Sequence, residues 1–255
     1  GSASQSLVSK NDFNPDSMGN LMLWLDAEKA EYLSTDGTIS PPNDDDVFSV
    51  WYDRSGKQHH ARAYAGTPLW DSTAFNSKPG VVLDSDVLKA DNSESSFDGW
   101  EKLHVIAALY QDPGHGYMDV IMGKTTYSGW LDNGKDTAWS VVVHRQDGGN
   151  NYWGPQVITD TNGDGTGDSN RYIHNLSKRL QGDDGGAPGL FTMSFDGATL
   201  RASENGGALS RSDSLSGVIQ PRSNLPFTVG GDGNKARTLN LKIGEIIIYH
   251  DKLSD

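Results

Sequence analysis

The chain has no cysteine. That removes disulfides, thiolate zinc sites and cysteine nucleophiles together, although many exported bacterial proteins also lack cysteine. No apolar run approaches the ~18 residues of a membrane span, and no signal peptide is visible. The opening Gly-Ser-Ala-Ser has the composition of a tag remnant. Positive charge is short: Lys and Arg number 21 against 34 acids, a formal net charge of -13. Such a surface repels phosphate backbones and anionic lipids, which argues against nucleic acid and membrane insertion. Glutamate is scarce as well, six of the 34 acids, so the acids are mostly Asp. Glu favours helices, whereas Asp favours turns, caps and oxygen-rich metal loops.

What is present is a series of strand-like runs between turn signals. LMLWLDA (21–27), VFSVWYD (47–53), KPGVVLD (78–84), KLHVIAALY (102–110), YMDVIMGK (117–124) and WSVVVHR (139–145) come first. LFTMSFD (190–196) and TLRASEN (199–205) follow, joined at Asp196-Gly197, then PFTVGG (226–231) and LKIGEIIIYH (241–250). Several alternate apolar and polar, as half-buried strands do, and no long 3.6-residue apolar period competes with them. The helix candidates are DAEKAEYL (26–33) and the closing KLSD. About ten strands with glycine-rich connections predict an all-β sandwich or barrel. The segment from Asp147 to Asn170 reads as one long polar loop. The chain reads as a loose tail over 1–16 and one domain over 17–255. Trp24 and Trp51 read as core fillers, Trp70, Trp100 and Trp139 adjoin strands, and the Ile246–Ile248 run suits a strand covered on both faces.

In order along the chain stand LMLWLDA, VWYDRSGKQHHA, NSKPGVVLD, GWEKLHVIAALY, TVGGDGN and LKIGEIIIYHDKLS. Together they resemble the laminin-G-like branch of the concanavalin A-like lectin/glucanase superfamily of bacterial extracellular proteins. The resemblance runs from Asn20 to Ser254. It implies a jelly-roll sandwich of two antiparallel sheets, an extracellular or cell-surface location, and membership of a larger multidomain protein. Many members bind glycans, some bind calcium or protein, and a minority cleave polysaccharides.

Glycoside hydrolysis by such a sandwich needs two neighbouring carboxylates. The superfamily's Glu-x-Asp-x-x-Glu strand is absent, Glu28 and Glu31 fall in the helix candidate, and Glu245 stands alone in its strand. The Gln-Ile-His strand of the resembling alginate lyases is also missing; YIHN (172–175), preceded by Arg171, is the nearest approach. No Gly-x-Ser-x-Gly elbow, phosphate loop or His-Glu-x-x-His motif occurs. The expectation is a non-catalytic glycan-binding module. The alternatives are a polysaccharide hydrolase or lyase with an atypical site, and a structural or protein-binding module of a large adhesin.

Two places carry binding chemistry. DTNGDGTGD (160–168) follows the calcium-loop pattern, with Asp160, Asn162 and Asp164 at positions 1, 3 and 5 and Gly165 at 6. The Thr166 carbonyl falls at 7 and Asp168 at 9, but Arg171 stands at 12 where a bidentate Glu belongs. A looser calcium loop is expected, completed from elsewhere, against the alternative of solvated Asx turns. NDDD (43–46) and GDD (182–184) are weaker acidic clusters. For a sugar, Trp153 with Tyr152, Asn151, Asn150, Asp147 and Arg145 offers an aromatic face beside polar groups. Trp130, and His115 with Tyr117, are further candidates.

Overall fold

The computed structural model describes residues 14–38, 41–75, 77–111, 118–126, 136–145, 151–167, 169–172, 188–206 and 211–251. Its strands are β1 (Leu21–Asp26), β2 (Leu33–Ser34), β3 (Asp46–Val47), β4 (Val50–Trp51), β5 (Ala61–Ala65), β6 (Leu69–Phe75), β7 (Lys78–Asp84), β8 (Val87–Ala90), β9 (Leu103–Gln111) and β10 (Met118–Thr125). After them come β11 (Thr137–Arg145), β12 (Asn151–Asp160), β13 (Ser169–Tyr172), β14 (Gly189–Phe195), β15 (Thr199–Glu204), β16 (Arg211–Ser214), β17 (Val218–Ile219), β18 (Thr228–Val229) and β19 (Asn240–Tyr249). They form two antiparallel sheets, one ordered β16-β15-β14-β9-β19-β7-β6-β3 with β1 on β19, the other β13-β12-β11-β10-β18-β8-β5-β4-β2 with β17 on β12. The expected β-sandwich is what forms.

The sheets face each other across one apolar core. Leu23, Leu25, Val105, Ala107, Phe191, Met193, Ile246 and Ile248 come from the first sheet, and Trp51, Trp139, Val141, Val143, Val157 and Phe227 from the second side. Each fully buried side chain of this size contributes about 1.5–3 kcal/mol, so a core this large needs no disulfide. Trp70 and Trp100 join it. Local chemistry fixes the turns. At the β14–β15 hairpin the Asp196 carboxylate accepts the Ala198 and Thr199 N–H groups at 3.1 and 2.8 Å, the side-chain turn for which Asp is favoured.

β19 organises the first sheet. It pairs with β9 along one side, with a register irregularity between Ile243 and Glu245. On its other side Asn240–Ile243 pair with β7 and Glu245–Tyr249 with β1. At Gly244 the neighbour changes, and the Gly244 carbonyl accepts the Ala27 N–H at 2.9 Å. Alternation along β1 and β19 then sends Leu21, Trp24, Ile247 and Tyr249 to the outer face, where they form a second, smaller cluster. Trp24 therefore is not a filler of the main core, as its strand context suggested; it packs outside the sheet. The Ile246–Ile248 run is covered on both faces as expected, Ile247 in the outer cluster and its neighbours in the main core. The turn Pro15–Met18 is tied to that outer face, since the Tyr249 hydroxyl donates to the Pro15 carbonyl at 3.2 Å.

Three local expectations are corrected. The candidate helix over 26–33 is the end of β1, a turn and a single 3-10 turn at Ala30–Tyr32. Its ends are claimed by sheet partners, Ala27 by Gly244 and Leu33 by Trp51, which leaves too few residues for an α-helix. VFSVWYD is split between sheets, β3 pairing with β6 and β4 with β5. The segment 147–170 is no single loop: β12 pairs with β11 from Asn151 to Val157 and with β13 from Gln156 to Thr159. The closing KLSD lies outside the described residues apart from the strand end before it. No described helix is long and apolar enough to cross a membrane.

Candidate functional site

Beside the outer cluster, where β19 changes neighbours, lies a groove of about 1090 Å³. Trp24, Asp26, Arg54, Lys78, Ala108, Leu190, Asn205 and Glu245 are among the residues that line it. Its geometry starts from the Asp53-Arg54-Ser55-Gly56 turn. The Asp53 carboxylate accepts the Trp24 N–H at 3.0 Å, the Ser55 N–H at 2.9 Å and the His59 N–H at 3.0 Å. The Arg54 N–H donates back to the Trp24 carbonyl at 2.8 Å. The turn is thus fastened to β1, and the Arg54 guanidinium is laid over the Trp24 ring, 3.7 Å from its centroid, and 4.8 Å from that of Tyr32.

From there Arg54 reaches the Asp26 carboxylate in an ion pair. Asp26 and Glu245 are register partners across β1 and β19, so their side chains share one face. Glu245 accepts the Trp24 Nε1–H at 2.8 Å. Burial raises the Asp26 carboxyl above its ordinary value, and Arg54 opposes the shift. Burial likewise raises Glu245, the Trp24 hydrogen bond works against it, and the facing Asp26 charge adds to it. At the groove rim Lys78 pairs with Glu28 at 2.6 Å, both exposed. The result is a depression with carboxylate acceptors, cationic donors and apolar walls from Phe75, Pro79 and Leu190.

No single segment of the sequence announces this constellation. Glu245 is isolated in its own strand, and its neighbours come from 221 residues away. A signal was available: Trp24 and Asp26 stand two apart, as do Glu245 and Ile247, so each pair shares a strand face.

The residues singled out from sequence fall elsewhere. Arg145 and Asn151 are register partners at the ends of β11 and β12, with Tyr152 opposite His144 and Trp153 opposite Val143. These three aromatic and amide positions are strand residues of the second sheet, not residues of a loop. Asp147, Asn150, Trp130, His115, Tyr117 and Asp168 lie outside the described residues, as do His174 and Asp183-Asp184.

Asp160 ends β12 and is 4% exposed. Its carboxylate accepts the N–H groups of Asn162 at 3.1 Å, Gly163 at 2.6 Å and Gly165 at 2.8 Å. Asn162 Oδ1 accepts the Asp164 N–H at 2.9 Å, and Asp164 Oδ1 accepts the Thr166 N–H at 2.8 Å. The loop is a chain of Asx turns, with Gly165 at φ +82° where the backbone reverses. Asp160 Oδ1 and Asp164 Oδ1 each accept two bonds, whereas Asp160 Oδ2 accepts one and Asp164 Oδ2 none of these, so one oxygen of each carboxylate keeps capacity for a cation. In the NDDD segment, Asp44 and Asp45 gather with Asp71, their oxygens within 4.8 Å of one another.

No family model and no curated protein sequence matches the chain. Solved structures do. Domain 4 of AbnA, a GH43 extracellular arabinanase from Geobacillus stearothermophilus, in complex with arabinotriose, superposes with a TM-score of 0.57 at 11% identity, over 92% of this chain and 94% of that one. The binding domain of Paraclostridial Mosquitocidal Protein 1 gives 0.59 at 14% identity, over 94% of this chain and 51% of that one. A Trypanosoma rangeli sialidase mutant displaying trans-sialidase activity gives 0.53 at 12%, over 92% and 31%. The fold is the β-sandwich of these domains. At such identities the likeness concerns fold alone, and it does not single out the laminin-G-like branch. This chain spans nearly all of the arabinanase domain and about half of the toxin binding domain.

Proposed function

We propose that the chain is a non-catalytic carbohydrate-binding module of a secreted or cell-surface protein, reading a polysaccharide or surface glycan. The observation that carries this is the groove on the outer face of the first sheet. Sugar hydroxyls need acceptors and donors close together, and an apolar wall for the C–H face of the ring. Asp26, Glu28 and Glu245 supply acceptors, Lys78 supplies a donor, and Phe75 and Leu190 supply wall. The volume lies just above the usual range of small-ligand sites, which leaves room for an oligosaccharide. The fold likeness supports the same reading, because one fold neighbour was solved holding arabinotriose.

The test is a glycan array followed by titration of the best oligosaccharide, with arabinotriose as the first soluble probe. Ala108→Trp fills the groove floor from a half-buried position and is expected to abolish binding. Unaltered binding by that variant moves the site off the groove, with the Tyr152–Trp153 end of β12 next in line.

A second reading has one observation in its favour. Asp26 and Glu245 are register partners on one sheet face, and burial raises both carboxyls; a pair of neighbouring carboxyls is the starting material of a glycoside hydrolase. Against it, Arg54 occupies Asp26 and Trp24 occupies Glu245. Release of reducing ends from a polysaccharide panel separates the two.

A further inference from the structure

The loop after β12 closes on a stretch of chain that its own sequence does not announce. β17 pairs antiparallel with the end of β12, Ile219 opposite Thr159 and Val218 opposite Asp160. Gln220 follows, its N–H on the Ile158 carbonyl at 2.8 Å. This brings the Gln220 side chain beneath the returning limb of the loop. A Cβ added at Gly167 would stand 2.6 Å from Gln220 Oε1 and 2.5 Å from Ile158 Cγ2. Only glycine leaves room for the amide there. The Gln220 side chain is fully buried, and among the described residues neither Oε1 nor Nε2 has a hydrogen-bond partner. A buried amide without partners is rare in folded proteins, because it has lost its water and gained nothing.

Two independent facts therefore meet at one place. The loop carries oxygen groups at alternate positions, and an orphaned amide oxygen from another segment abuts it at Gly167. The calcium-loop pattern of 160–168 is incomplete because Arg171 stands where its last ligand belongs, and Gln220 Oε1 is an unused oxygen from outside the loop. We infer that the loop is a two-segment calcium site, in which Asp160, Asn162, Asp164 and the Thr166 carbonyl act together with Gln220 Oε1. Every donor is a hard oxygen, with no imidazole or thiolate among them, which suits calcium and not zinc. Asp160 and Asp164 balance the charge of a dication, and water completes the six to eight ligands calcium takes. Such a water also gives the Gln220 amide nitrogen an acceptor. The ion would tie the β12–β13 connection to β17. The inference stands apart from the groove, which lies on the other sheet.

The experiment is calorimetric titration of the intact chain with calcium chloride, paired with melting curves in calcium and in chelator. The expected result is one ion per chain with a dissociation constant of about 10⁻⁴ to 10⁻³ M, the range of extracellular modules, and a lower melting temperature in chelator. Asp164→Ala, at an exposed position, is expected to weaken binding at least tenfold without harm to folding. Gln220→Met keeps the buried volume and removes the oxygen, and a tenfold weakening is expected again. Gln220→Glu is the complementary arm: it adds a charged oxygen, so it should bind calcium more tightly than the parent and melt much lower in chelator. Asp44→Asn, in the other acidic cluster, should leave binding unchanged. The inference fails if the parent takes up no calcium at millimolar concentration. It also fails if Gln220→Met and Gln220→Glu both bind as the parent does, or if Asp44→Asn abolishes binding.

Discussion

The guanidinium carbon of Arg54 lies 3.7 Å above the Trp24 ring while its Nη1 holds the Asp26 carboxylate. One side chain thereby lids the outer-face tryptophan and supplies the countercharge for a poorly exposed acid at the groove. Arg54→Ala removes both contacts and leaves Asp26 unpaired. A loss of about 2–4 kcal/mol is expected in urea denaturation, from the cation–π contact and the broken part-buried pair. Arg54→Lys keeps the charge without the planar face and should recover less than half of it. Equal stability of parent and Arg54→Ala rules out this role for the turn.

Much of the fold was legible in the sequence, because long alternating strands announce themselves. KPGVVLD is β7 to the residue, and KLHVIAALY differs from β9 by one position at each end. Short strands do not. β5 and β8 are five and four residues, too short for a period to show. β12 hides behind Gly154 and Pro155, which read as loop residues. Pro155 is tolerated because β13 pairs only from Gln156 onward, so β12 has a single neighbour there. The groove was less legible still. Trp24, Arg54 and Glu245 each look ordinary in their own segment, and only the pairing of β1 with β19 joins them. Gln220 had no signal at all: its significance lies in what surrounds it.

Lys124 is completely buried in the second sheet, paired with Asp98 at 2.7 Å. It donates to the Glu94 and Ser96 carbonyls, each at 2.8 Å, and so pins the 91–99 segment. Burial pulls its pKa down, and Asp98 holds it up. Lys124→Met takes the ammonium from two carbonyls and from Asp98, which keeps only the Arg222 N–H among the described donors. The expected cost is about 3–5 kcal/mol, as for removal of one member of a buried pair. Replacing Asp98 by Leu in the same chain should return part of that loss. A cost below ~1 kcal/mol for the single variant means that water replaces the ammonium.

Lys78 discriminates between the two faces proposed as candidates for a glycan. It is 71% exposed at the groove rim, so its removal does not threaten the fold. Lys78→Ala is expected to weaken the best glycan about threefold to tenfold, the scale of one hydrogen bond of roughly 0.5–1.5 kcal/mol. Trp153→Ala, on the other sheet, should leave that titration unchanged. The reverse pattern assigns the glycan to the end of β12.

Glu245 tests the groove's electrostatics and its chemistry at once. Its carboxyl is raised above its ordinary 4.5 by burial and by the facing Asp26. A raised carboxyl binds its proton more tightly in the folded chain than in the unfolded one, so protonation favours folding. This contribution is fully present below pH 4.5 and is lost as the pH rises through the raised value. Glu245→Gln keeps an oxygen for the Trp24 Nε1–H, has no charge to bury and does not titrate. The variant should therefore melt higher than the parent at pH 7, and the advantage should shrink as the pH falls toward 4. Paired melting curves at the two pH values measure it, and a difference that grows on acidification contradicts the sign argued here. The same variant decides the chemistry. A binding groove releases no reducing ends in either form, whereas a hydrolase would lose its turnover with this one carboxylate.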